Sequence, residues 1–355
     1  MTTDFHGILE FGFKNKASDI HFQAAAHPMV RIDGKMRTLD LPKLSNEETL
    51  EFIASIAPKP EDEDLNAALF KGLDFSYSIP NLCRFRCSAY SHLGNTGVTM
   101  RIIRIEIPSI EDLNLPEVMR DIALSRRGLT LVTGTTGSGK STTLAAMINL
   151  INQTHHAKVI TVEDPVEYVY ANQKALITQL EVGLDTPSFS HALRQALRQD
   201  PDVILVGELR DVESLRMALR AADTGHQVFS TVHSATAALT VERIIAMFPP
   251  VEHKLLLSQL ASSVEAIISQ RLLTTVKGGR RPAVEILRGT AVSEKLIVEN
   301  RLAEIGDYIK RGEAGMQTFD QDILKMYKQE VISGTEAMRW SSRPEALAMA
   351  MRGII

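Results

Sequence analysis

A chain of 355 residues has room for two domains, each with its own hydrophobic core. Its 39 basic and 43 acidic side chains leave a formal charge of −4, which disfavours a general nucleic-acid coat, while 44% hydrophobic and 23% charged residues is a soluble protein's composition. No apolar stretch approaches the roughly 20 residues that cross a bilayer, and the first residues lack a signal-peptide pattern, so the expected location is the cytoplasm.

Phe5, Ile8, Leu9 and Phe13 recur at helical spacing and predict an opening helix over 4–16. Ile20 and Phe22 alternate with polar neighbours as in a strand, and Val30–Leu39 reads as a strand pair turned by Asp33-Gly34. Residues 46–57 suit a helix with Asn46 as N-cap, stopped by Pro58-Lys59-Pro60. Leu73–Ile79 and Cys83–Ser91 follow as strands, and Asn95–Gly97 turns the chain into Val98–Ile105. On such a strand Cys83 and Cys87 share one face and read as core residues. Two cysteines make neither a disulfide framework nor a closed zinc site. An α+β domain over 1–104 is therefore expected, then a linker over 105–114, containing Pro108, and a second domain over 115–355.

From Gly128 the pattern becomes α/β. Apolar strands at Leu129–Thr133, Lys158–Val162, Val203–Val206 and Val228–Val232 alternate with helices such as Ser188–Arg198 and Val212–Ala222, predicting a largely parallel sheet. From about Ala237 the chain reads as a mostly helical subdomain, with sections at Ser293–Lys310, Phe319–Glu330, Thr335–Trp340 and Pro344–Met351. Gly278-Gly279-Arg280-Arg281 reads as a basic surface turn.

The chemistry centres on Gly134-Thr135-Thr136-Gly137-Ser138-Gly139-Lys140-Ser141, which fits G-x-x-x-x-G-K-[ST] between an apolar strand and a helix beginning near Thr142. The glycines let the backbone turn tightly and face N–H groups to a polyanion, and the helix start adds its dipole. Lys140 reaches the β- and γ-phosphates of ATP, and Ser141 ligates the Mg2+ between them. Asp200–Glu208 delivers Glu208 at the end of a buried strand, and Ile160–Glu167 delivers Glu163 and Asp164 in the same way. Glu208 and Glu163 are the candidates for general base and for the magnesium shell; the sequence does not separate their roles. Asp164 suits the turn before Pro165, and Glu167 reads as solvated. His226 and His233 stand at either end of a strand, each able to sense a γ-phosphate or a carboxylate facing it. Arg84, Arg86, Arg101 and Arg104 are candidate arginine fingers, with surface charge as the competing reading.

Taken together, Asp19-Ile20-His21, Gly134–Ser141, Ile160–Tyr168, Leu205–Asp211 (LVGELRD), Thr224–Ser234 (TGHQVFSTVHS) and Gly315–Asp320 resemble the hexameric secretion-type ATPases, especially the retraction motors of type IV pili. The resemblance implies a PAS-like first domain, a RecA-like P-loop ATPase domain with a helical C-terminal extension, and a homo-hexamer with nucleotide between the two domains. It makes Glu208 the leading catalytic base and Glu163 the support for water or magnesium. His226 and His233 would couple the γ-phosphate to domain movement, and Arg86 and Arg101 would contribute from the first domain. It further implies ATP-driven work on an inner-membrane pilus platform protein, with no direct nucleic acid. Assembly and type II secretion ATPases carry a four-cysteine motif in the ATPase domain, which this chain lacks. The main retraction branch carries an AIRNLIRE-like motif where this chain reads AVSEKLIVE at Ala291–Glu299, so the chain resembles the accessory, PilU-like branch, with the primary retraction ATPase as a partner. A pilus-assembly or type II secretion ATPase, a nucleotide-switched regulatory module of the pilus machine and a nucleic-acid translocase are the alternatives.

Overall fold

The computed structural model describes residues 3–32, 34–58, 64–80, 82–103 and 106–353. It divides into two units, Met1–Glu106 with Glu167–Val169, and Ile107–Val166 with Tyr170–Ile355.

The first unit runs α1 (Phe5–Lys14), β1 (Asp19–Gln23), β2 (Met29–Ile32), β3 (Lys35–Thr38), α2 (Asn46–Ile56), α3 (Leu65–Lys71), β4 (Leu73–Ile79), β5 (Cys83–His92) and β6 (Asn95–Ile103). Its strands form an antiparallel sheet in the order β3-β2-β1-β6-β5-β4. Strand alternation sends Ile20, Phe22, Phe85, Cys87, Val98 and Met100 into a core with Ile8, Leu9, Phe52, Ile53 and Leu69 of the helices. This is the expected α+β layer. The N-cap of α2 is Ser45 rather than Asn46: Ser45 Oγ accepts from Glu48 N and the Glu48 carboxylate accepts from Ser45 N, a reciprocal capping box. The turn before β6 begins two residues earlier than expected, at Leu93-Gly94, where both residues have positive φ, while Asn95–Gly97 already pair as strand. Asp33, Lys59, Pro60, Arg104 and Ile105 lie outside the described residues.

The second unit adds α4 (Val118–Ala123), β7 (Gly128–Thr133), α5 (Lys140–Thr154), β8 (Lys158–Glu163), β9 (Leu176–Glu181), α6 (Phe189–Ala196), β10 (Val203–Val206), α7 (Val212–Asp223), β11 (Gln227–Val232), α8 (Ala237–Ala246) and α9 (His253–Ser263). Then come β12 (Val264–Thr274), β13 (Arg280–Arg288), α10 (Ala291–Val298), α11 (Ile305–Lys310), α12 (Phe319–Lys328), α13 (Gly334–Trp340) and α14 (Pro344–Met351). The sheet order is β13-β12-β7-β11-β10-β8-β9, parallel throughout except for β13. One apolar cluster lies with α6–α9 and another with α4 and α5, so the central strands are buried on both faces.

Two expectations need correction. The region after Ala237 carries helices α8–α14, as expected, but is not helical throughout: β12 and β13 form a long hairpin that completes the sheet beside β7, turned by Gly278-Gly279. Their middle stretches, residues 266–270 and 282–287, are buried on every residue, which erases the two-residue period that would have marked them as strands. Part of the expected linker is also core, because Ile110 is buried in the second unit's cluster together with Leu115.

Candidate active site

The sheet order places the carboxyl ends of β7, β11, β10 and β8 along one edge, and most of the expected polar residues emerge there. Gly134–Gly139 connects β7 to α5, whose 15 residues direct their amino end at the loop. Gly134, Gly137 and Gly139 have φ of 148°, 78° and 91°, in the region that favours glycine. A Cβ at Gly134 would stand 2.5 Å from the Gln270 carbonyl oxygen and from Ser138 Oγ, so here glycine is required for space as well. Thr135, Thr136 and Gly137 are exposed at the loop's crest, and Ser141 and Thr142 begin the helix half-buried. Lys140 folds back over the loop, its Nζ donating to the carbonyls of Gly134 at 3.1 Å and Thr135 at 3.0 Å. Ser138 Oγ is buried without a hydrogen-bond partner. A glycine-rich loop with an unsatisfied hydroxyl and a folded lysine at a helix start fits a polyphosphate.

Glu208 leaves β10 beside His233, which leaves β11; His233 Nε2 stands 3.5 Å from Glu208 Oε2. Arg210 makes a close ion pair with the same carboxylate. The strand exits are stitched together: Leu209 N donates to Thr231 O, Thr231 Oγ1 to Gly207 O, and Gly207 N to Val162 O. A Cβ on Gly207 would meet the Val162 carbonyl at 3.3 Å and the Glu163 Cα at 3.4 Å, so this glycine lets the Glu208 and Glu163 backbones lie side by side. Thr161 Oγ1 donates to Glu163 Oε1 at 2.7 Å, and Gln179 Nε2 approaches it at 3.4 Å while Gln179 Oε1 accepts from Tyr170 N. A cavity of about 320 Å³ opens here, lined by Glu208, Arg210, Thr231, His233, Arg243 and Met247 among others. Burial, followed by the charges of Lys140, Arg243 and Arg210, holds the His233 imidazole below its ordinary pKa, which favours the neutral ring.

Other expected residues fall elsewhere. His226 precedes β11 and therefore lies at the strand's amino end, a six-residue strand (roughly 20 Å at ~3.3 Å per residue) from His233. There its Nδ1 pairs with Ala221 O and Thr224 Oγ1, which removes it from the phosphate edge of its own chain. Arg86 and Arg101 are cross-strand partners on the first unit's sheet, and Arg101 Nε donates to Asp19 at 2.8 Å. Burial alone would raise the Asp19 carboxyl, but hydrogen bonds from Ser18 and Arg101 outweigh it and hold it below the usual range. Thr161, Gln179, Arg243 and Gln270 escaped sequence reading. The signal for Gln270 was the polar triplet Ser269-Gln270-Arg271 inside the otherwise apolar run Ala266–Leu273.

Among the described residues, no group of three or more His, Cys, Asp or Glu side chains could hold a metal by itself. The hydroxyl of Ser141 and the carboxylates of Glu208 and Glu163 are hard oxygen donors, which fits magnesium that arrives on a nucleotide.

Sheet order, phosphate loop and acidic strand ends define a P-loop nucleotide-binding protein of RecA-like architecture. Residues 3–294 match the family model described as Type II/IV secretion system protein. The type IV pilus retraction ATPase PilT of Pseudomonas aeruginosa is 41% identical over 96% of this chain and 99% of its own length. The type IV pilus ATPase PilU of the same organism is 36% identical over 98% of this chain and 91% of its own. A crystal structure of the pilus retraction motor PilT with bound ADP superposes with a TM-score of 0.89 at 41% identity, covering 98% of this chain and 99% of that one. The chain thus belongs to the Type II/IV secretion system protein family and, within it, to the pilus retraction ATPases.

Proposed function

We propose that this protein hydrolyses ATP to ADP and phosphate as a homo-hexameric motor that drives or assists type IV pilus retraction. The reading is carried by the phosphate loop standing on the same sheet edge as Glu208, Glu163 and His233, in a chain alike over nearly its full length to a retraction motor crystallised with ADP. The loop amides and Lys140 bind the phosphates, Lys140 exchanging its carbonyl partners for phosphate oxygens. Ser141, Glu208 and Glu163 would hold magnesium, which when bound polarises the γ-phosphate. Glu208 accepts the proton of the attacking water, and Glu163, fixed by Thr161 and Gln179, orients that water. His233 donates to or accepts from Glu208 according to the charge facing it, and so reports hydrolysis to β11 and α8. Arg86 and Arg101 supply positive charge from the first unit, and His226 serves the far end of β11.

The motor acts on the pilus platform at the inner membrane; no helix among the described residues is long and apolar enough to cross a membrane. The absence of arginine from Ala291–Glu299 supports the accessory role beside a primary retraction ATPase. Purified protein with magnesium and ATP should release phosphate, and Lys140→Ala should not. Pilus dynamics should change on deletion in backgrounds with and without the primary motor. Unaltered retraction in both would remove the retraction role, and phosphate release no faster than that of Glu208→Gln would leave a nucleotide-switched regulator instead.

A further inference from the structure

Gln270 is buried to 2% exposure at the point where β12 runs on past the end of β7 and alongside the phosphate loop. Its side-chain amide is used at both ends. Nε2 donates to the Ser138 carbonyl at 2.7 Å, and Oε1 accepts from Thr143 Oγ1 at 2.9 Å. One planar group therefore ties the loop to the first turn of the helix that follows it. The same residue crowds both flanking glycines: its carbonyl oxygen lies 2.5 Å from a Cβ at Gly134, and its Nε2 lies 2.8 Å from one at Gly139. Next to it, Ser269 Oγ accepts from Thr133 Oγ1. On the opposite face, the Arg271 guanidinium lies 3.9 Å from the Phe319 ring centroid and donates to the Trp340 carbonyl, so the strand cannot slide at this register.

We propose that Gln270 is the positioning residue that shapes the phosphate loop for nucleotide, by holding the Ser138 carbonyl against β12. In a trans peptide the C=O and N–H point in opposite senses. Holding the Ser138 carbonyl toward Gln270 therefore turns the Gly139 N–H away from β12, toward the loop's concave side. Without the amide, nothing at β12 opposes a flip of that peptide plane, which would present a carbonyl dipole to the polyanion instead of a donor. The Ser138 carbonyl can only accept, so it takes Nε2 and leaves Oε1 for the Thr143 hydroxyl, which donates to it and holds the amide in that orientation.

The inference rests on Gly134–Ser141 binding the nucleotide phosphates, so the experiment carries Lys140→Ala as a control on that reading. Gln270→Met keeps the side chain's length and removes both bonds; Thr143→Val removes only the orienting hydroxyl. MgATP turnover and the melting temperature of the nucleotide-free protein are measured for each. Gln270→Met should raise KM about tenfold or more with kcat within about threefold, and Thr143→Val should shift KM the same way by less. A fall in kcat at unchanged KM, or wild-type kinetics in both folded variants, would overturn the positioning role. If Gln270→Met does not fold, Thr143→Val decides by the same split. Wild-type kinetics in Lys140→Ala would instead remove the loop reading on which the inference stands.

Discussion

His233 Nε2 stands 3.5 Å from Glu208 Oε2 at the exits of two neighbouring parallel strands. Neither residue reaches the other by local sequence; 25 positions and the whole of α7 separate them. The β10–β11 register brings them together, and the bonds from Leu209 and Thr231 across the exits hold them there.

The two carboxylates should differ in kind. Glu208→Gln is expected to lower kcat by about a hundredfold or more while ADP still binds, as for loss of a general base. Glu163→Gln, which keeps its bond from Thr161, should lose less. Single-turnover phosphate release alongside nucleotide binding checks the pair, and the reverse order would exchange their roles.

The His233 ring should titrate below its ordinary value of 6.5, with burial as the largest cause and the Lys140 charge next. Lys140→Met should therefore raise its pKa, and bound nucleotide should do the same by covering that charge. Histidine-selective NMR titration reads both shifts. Because the folded pKa lies below the unfolded one, the unfolded chain binds the extra proton first. This residue's contribution to stability is complete above pH 6.5 and declines as the pH falls through that value toward the folded pKa.

Cys83 and Cys87 should be inert in the native protein. Burial pushes the Cys83 thiol up to about 12 and raises Cys87 as well, and both face the first unit's core. A thiol-reactive dye at pH 8 should label neither until denaturant unfolds this unit, when both should react. Rapid labelling of native protein would show the β5 core to be open.

Ser45→Ala removes one half of the capping box and should destabilise the first unit by about 1 kcal/mol. Asn46→Ala should leave that cap intact but remove a different contact, since Asn46 Oδ1 accepts from Thr96 N and Oγ1. Denaturant melts of the two variants separate these contributions.

The sequence by itself determined whatever is written locally. The loop Gly134–Ser141, the short apolar strands on either side of it, the acidic exits at Glu163 and Glu208, and the amphipathic α6 and α7 each carry their signal within a few residues. The tertiary structure alone decided matters of pairing. The strands β12 and β13 were illegible because burial on both faces removes periodicity, and only their pairing beside β7 reveals them. Gln270 is a polar residue within an apolar run, and only that pairing brings it against the Ser138 carbonyl, 132 positions earlier in the chain. His226 and His233 look equivalent in sequence, yet the direction of β11 sends one to the phosphate edge and the other to the opposite end. Local propensity selects elements, but a site on a parallel sheet is built from strand order and direction, which no single stretch of chain encodes.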